Sequence, residues 1–173
     1  PGQEYFAGTH VNPRVTWWSK SAPFIDYMHR VQMLAQEGTF VADILYYYGD
    51  HVPNVYPFKH SDMPGAMFGF DYDVTDENIL MKLGVEDGDI VVPGGRRYKV
   101  LVLPDHRVLS LPVLKKLEML VKEGASVLGP KPQKAVSLSG GEKGVAEFKE
   151  LADLLWGTTT GTTGQNQYGK GIV

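Results

Sequence analysis

Tyr98-Lys99-Val100-Leu101-Val102-Leu103-Pro104, then Ser110 with Leu114, Leu117, Leu120 and Val121, then Ser126-Val127-Leu128-Gly129-Pro130, is the stretch that decides the fold. Its first and last pieces are short apolar runs closed by proline, which predicts buried strands. Between them the apolar positions recur at three- and four-residue spacing, which predicts one face of a helix. Ser110 stands at the capping position, Pro112 falls in the first turn and Gly124 ends the helix. Strand, helix and strand in this order imply parallel strands joined by a right-handed crossover.

The alternation extends in both directions. Upstream, Phe40-Val41-Ala42-Asp43-Ile44-Leu45-Tyr46-Tyr47-Tyr48 lies between Gly38 and Gly49 and is apolar almost throughout, as in a central strand covered on both faces. Before it, Ser21 and Pro23 open a helix whose apolar face is Phe24, Tyr27, Met28, Val31, Leu34 and Ala35. Residues 1–20 have no helical period and predict a short strand or extended loop ending near Asn12-Pro13. Gly49 to Gly69 is a long aromatic loop, and loops of this length tend to be functional or interface-forming.

Downstream, Thr75 with Asn78, Ile79, Leu80 and Leu83 predicts a short helix, and Gly84 to Gly95 an edge hairpin. Lys131 to Gly141 reads as a loop, and Val145, Phe148, Leu151, Ala152 and Leu155 mark a last helix ending at Trp156-Gly157. Thr158 to Gly164 is low-complexity, and Ile172-Val173 begins a fourth strand. The fold class is therefore α/β: a flavodoxin-like or class I glutamine-amidotransferase-like three-layer sandwich with a mainly parallel sheet.

Bulk properties narrow the chemistry. Of 173 residues, 43% are hydrophobic and 21% charged, with a formal net charge of -3, so nucleic acid and acidic membrane surfaces are not the expected partners. No apolar run approaches the ~20 residues of a membrane helix. Cysteine is absent, which removes disulfides, cysteine–zinc sites and a thiolate nucleophile. The opening Pro1-Gly2 and the closing Tyr168-Gly169-Lys170-Gly171-Ile172-Val173 read as cuts in a longer chain.

Specific motifs fare as follows. The turn after Tyr48 reads Gly-Asp-His-Val-Pro-Asn, without the second glycine and adjoining helix that a dinucleotide site needs. Amidotransferase chemistry lacks its cysteine, and Ser137 and Ser139 sit in no nucleophile elbow. Asp71, Asp73, Asp76 and Glu77 could in principle offer oxygen ligands to calcium, but carboxylates at a helix N-terminus explain the same run. His10, beside Asn12 and leading to Trp17 and Trp18, has the composition of a sugar platform. Rings stack on the apolar sugar face while His and Asn bond to hydroxyls. Interdomain packing would use the same tryptophans.

Several ordered motifs resemble one family. They are Gly8-Thr9-His10-Val11-Asn12-Pro13-Arg14-Val15-Thr16-Trp17-Trp18, Pro23-Phe24-Ile25-Asp26-Tyr27, Gln36-Glu37-Gly38, Val41-Ala42-Asp43, Tyr47-Tyr48-Gly49-Asp50, Pro53-Asn54, Gly69-Phe70-Asp71-Tyr72-Asp73 and Tyr168-Gly169-Lys170-Gly171. Together the chain resembles the alpha-L-rhamnosidase-like enzymes of glycoside hydrolase family 106. The resemblance implies that residues 1–38 are the last strand and helix of a catalytic (β/α) barrel, and 39–173 an amidotransferase-like domain truncated at its C-terminus. It implies an inverting hydrolase of terminal alpha-L-rhamnosides with calcium in the intact parent, working through two carboxylates. No catalytic residue and no metal ligand is assignable within this chain.

The substrate-binding candidates are His10, Asn12, Trp17, Trp18, Asp50 and Asn54. The implied partners are the rest of the parent, its barrel and β-sandwich domains, and a carbohydrate, with a homo-oligomer as a further possibility. The implied location is periplasmic or extracellular. The alternative is a stand-alone flavodoxin-like module that binds a small ligand or oligomerises without catalysis.

Overall fold

The computed structural model describes residues 11–52, 67–137, 140–158 and 164–173. The chain separates into two compact units, Pro1–Phe40 and Val41–Val173.

In the first unit the described residues form turns, a 3-10 turn at Trp18–Lys20 and the helix α1 (Ala22–Gln36). The strand or extended loop expected to end near Asn12-Pro13 lies almost wholly outside the described residues, and from residue 11 the chain turns. Asn12 folds its side chain back to accept from the Arg14 N–H at 2.9 Å, and the Val15 N–H donates to the Asn12 carbonyl at 3.2 Å. An Asx turn of this kind competes with extended backbone. Ser21 lies in helical backbone and makes no side-chain cap, because α1 continues directly from the 3-10 turn. Pro23 occupies the first turn of α1 as expected.

The second unit carries, in chain order, β1 (Ile44–Tyr47), β2 (Tyr72–Thr75), α2 (Glu77–Leu80), β3 (Gly84–Glu86), β4 (Asp89–Val91), β5 (Arg97–Tyr98) and β6 (Val100–Val102). There follow β7 (Val108–Leu109), α3 (Leu111–Glu123), β8 (Val127–Leu128), β9 (Lys134–Ala135), α4 (Gly141–Trp156), β10 (Gln167–Tyr168) and β11 (Gly171–Ile172). The main sheet has the order β2-β1-β6-β8 and all its pairings are parallel. This is a mixed α/β architecture built on a parallel sheet.

Both faces of β1 are buried. On one face Leu45, Tyr47, Leu101 and Leu103 join Val113, Leu114, Leu117, Leu120 and Val121 of α3 and Phe148, Ala152 and Leu155 of α4 in the main core. Each fully buried leucine of α3 contributes on the order of 1.5–3 kcal/mol. On the other face Ile44, Tyr46, Val102 and Met67 form a smaller cluster that includes no residue of α2, α3 or α4. The caps of α3 are as the sequence predicts: Ser110 Oγ accepts from the Val113 N–H at 3.3 Å, and Gly124 closes the helix at φ 129°.

Three elements differ from expectation. The fourth strand of the main sheet is β2 at its edge, not the C-terminal segment. The C-terminal residues instead form the antiparallel hairpin β10–β11, which meets the sheet region through one parallel bridge, Ser126 to Ile172. The hairpin expected in Gly84–Gly95 is present as β3–β4 but is extended by β5 into a three-stranded antiparallel sheet, and the stretch read as a loop from Lys131 holds β9, paired with β7.

The hairpin explains the Tyr168-Gly169-Lys170-Gly171 motif. A Cβ on Gly171 would stand 2.3 Å from the Ala125 carbonyl oxygen and 2.4 Å from that of Val121. Only glycine lets the hairpin lie directly on the end of α3, where the Lys170 and Ile172 N–H groups donate to the Lys122 and Ala125 carbonyls at 3.2 Å each.

Candidate functional site

Two of the six expected sugar-contacting residues, His10 and Asn54, lie outside the described residues. Of the rest, Asn12, Trp17 and Trp18 fall in the first unit and Asp50 in the second.

The tryptophans form an aromatic cluster. Trp17 and Trp18 have ring centroids 6.4 Å apart, and Trp17 meets Phe24 of α1 edge-on, 6.3 Å away at 89°. Such pairs add about 0.5–1.5 kcal/mol beyond simple burial and hold the rings in fixed orientations. Trp17 remains 38% exposed, and the apolar face of α1 is open, with Phe24 at 52%, Tyr27 at 58% and Leu34 at 70%. Rings that are mutually braced yet open can stack on a sugar or on another protein surface. The Oδ1 of Asn12 already accepts within its own turn.

Asp50 is held by the fold. Its carboxylate accepts from the Tyr47 hydroxyl and, at 2.6 Å, from the Ser110 N–H at the start of α3. Tyr47 is 1% exposed; burial first, then the bond to Asp50, pushes its hydroxyl far above the ordinary tyrosine range, so it stays a donor. Asp50 therefore ties the end of β1 to the cap of α3, a positioning role for a residue expected to contact substrate.

The loops around Asp50 hold a pair that sequence reasoning did not single out. His51 lies four positions beyond the last residue of β1, and His106 four beyond the last of β6. Their rings stack with centroids 3.4 Å apart and planes at 39°. β1 and β6 are neighbours from which the chain departs in opposite directions across the sheet, the position where open α/β sheets form a crevice at the strand ends. Burial, followed by repulsion from His106, lowers the His51 pKa, and only Asp50 opposes this. His51 Nδ1 is buried without a hydrogen-bond partner. An unmet buried polar atom costs about 1–3 kcal/mol. The one sequence signal was a histidine at equal offset from two apolar runs.

The acidic run resolves into structural contacts. Asp76 caps α2, and the Ile79 N–H donating to it at 2.9 Å is the main reason its pKa is lowered. Asp73 accepts from the Tyr98 hydroxyl at 2.6 Å and pairs with Arg96 at 3.4 Å. Among the described residues no three His, Asp or Glu side chains converge as a metal ion requires. Nor is any helix among them long and apolar enough to cross a membrane.

Comparison with known proteins gives this geometry a family. The model of glycoside hydrolase family 106, alpha-L-rhamnosidase, matches residues 1–173. The chain belongs to that family. A solved rhamnosidase from Novosphingobium sp. PP1Y superposes with a TM-score of 0.77 at 31% identity, covering 97% of this chain and 16% of that one. A protein of Formosa agariphila, provisionally named a beta-glucuronidase, is 40% identical over 152 residues, which is 88% of this chain and 13% of that protein. The chain thus spans about one-seventh of the length of these two proteins.

Proposed function

We propose that this chain is an accessory portion of a larger alpha-L-rhamnosidase-like hydrolase, and that the catalytic acid and base are supplied by other parts of the same polypeptide. The observation that carries the reading is the open apolar face of α1 beside the Trp17–Trp18–Phe24 cluster. An amphipathic helix with no buried residue lacks its packing partner, and a barrel helix severed from its barrel would look like this. The small share of each relative that the chain covers supports the same reading.

In this reading residues 1–38 are the last strand and helix of the catalytic barrel, and His10, Asn12, Trp17 and Trp18 border the sugar. Residues 39–173 are an amidotransferase-like domain of flavodoxin type. The sheet order supports this: numbered within the sheet it runs second-first-third-fourth, as in flavodoxin-like folds. With no cysteine in the chain, such a domain has no thiolate for amide chemistry. Any calcium would be held by residues of the parent outside those described here.

The test is kinetic. In the intact polypeptide, replacing Trp17 and Trp18 by alanine should raise KM for an aryl alpha-L-rhamnoside by about tenfold, equivalent to one lost stacking contact of about 1.4 kcal/mol. An unchanged KM would remove the two tryptophans from the sugar site.

A further inference from the structure

The second unit holds a cleft of about 380 Å³ that none of the readings above uses. Its volume lies within the ~300–1,000 Å³ usual for small-ligand sites. It is lined by residues of β1 and the edge strand β2, among them Leu45, Asp73 and Thr75, and by Val92, Pro93 and Gly94 of the turn between β4 and β5. Ile79, Arg96 and Tyr98 complete the lining.

The polar groups in this cleft are of matched sign. Asp73 supplies a carboxylate and Arg96, 49% exposed and 3.4 Å away, a guanidinium. Tyr98 is buried and donates to Asp73; burial first, then that hydrogen bond, pushes its hydroxyl up to about 12, so it remains a donor. An anion entering the cleft would meet Asp73, and a cation would meet Arg96. A neutral vicinal diol satisfies both, donating to the carboxylate and accepting from the guanidinium. Val92, Pro93 and Ile79 offer an apolar surface to the C–H face of the ring that carries such a diol.

We infer that the Asp73–Arg96 cleft is a binding site for a neutral sugar ring presenting vicinal hydroxyls. Every residue of the site lies within Val41–Val173, so the assignment does not depend on the activity of the parent or on the tryptophan cluster. Arg96, though paired with Asp73, keeps about half of its side chain exposed and so can also reach a ligand.

The isotope-labelled 173-residue chain titrated with L-rhamnose tests it, with D-glucuronate as the anionic comparator. Saturable shifts should appear at the amides of Val74, Thr75, Gly94 and Arg96, and Arg96→Leu should weaken the binding by about tenfold or more, as expected for loss of a charged hydrogen bond. Arg96 is a surface residue, so the variant folds, and the unmodified chain alone can already refute the site. Absence of saturable shifts there, shifts undiminished in Arg96→Leu, or D-glucuronate binding as tightly as L-rhamnose would each overturn the assignment.

Discussion

The rings of His51 and His106 stack with centroids 3.4 Å apart although 55 positions separate them in the chain, and His51 buries its Nδ1 with no partner. His51 has a lowered pKa from burial and from His106, so between the unfolded value of about 6.5 and its lower folded value the unfolded chain binds more protons. Stability contributed by neutral His51 is present above pH about 6.5 and lost as the pH falls through the folded value. Urea midpoints measured from pH about 8 to about 5 should therefore fall on the acid side. The fall should be shallower in His51→Phe; an identical fall in that variant would remove His51 as its source.

Asp50 offers a sharper separation of positioning from substrate contact. Asp50→Ala strands the buried Tyr47 hydroxyl and the Ser110 N–H, which should cost about 2–3 kcal/mol in urea unfolding. Tyr47→Phe alone should cost about 1 kcal/mol, and the two should be non-additive because they share a bond. A destabilisation below about 0.5 kcal/mol for Asp50→Ala would contradict the positioning role.

Gly171 should be intolerant of any side chain. Its Cβ would stand 2.3 Å from the Ala125 carbonyl oxygen, so Gly171→Ala should cost about 1–3 kcal/mol as the hairpin is pushed off α3. Gly84, which has open space around it, should accept alanine within about 0.5 kcal/mol. Equal effects at the two positions would show that close packing at Gly171 is not what the motif provides.

The open face of α1 makes opposite predictions in two settings. Leu34, 70% exposed, should accept aspartate in the isolated chain within about 0.5 kcal/mol. In the intact polypeptide the same change should cost about 2–5 kcal/mol, as for a buried leucine replaced by a charge. Equal tolerance in both would leave α1 without the partner proposed for it.

The elements readable in the sequence were those whose signals are local. β1, β6 and α3 announce themselves through apolar runs, a serine cap and a closing glycine, and the structure has all three. β2 did not, because Tyr72-Asp73-Val74-Thr75 is a four-residue edge strand fixed only by pairing with β1 across the chain. β7 and β9, two residues each, carry no period at all. The tryptophan pair was legible as composition, but the contact with Phe24 depends on the entry angle of α1. The tie from Asp50 to the cap of α3 was not legible, because its partner, the Ser110 N–H, lies 60 positions downstream. The His51–His106 pair and the Asp73–Arg96–Tyr98 group are likewise products of topology, visible only once β1, β2 and β6 are neighbours.

The central claim is that this chain is an accessory part of a hydrolase and carries no complete catalytic apparatus. The most direct measurement is hydrolysis of an aryl alpha-L-rhamnoside by the 173-residue chain alone, set beside the intact polypeptide at equal molar concentration. The account predicts turnover by the intact polypeptide and none above the uncatalysed rate by the chain. Robust hydrolysis by the chain itself would contradict it.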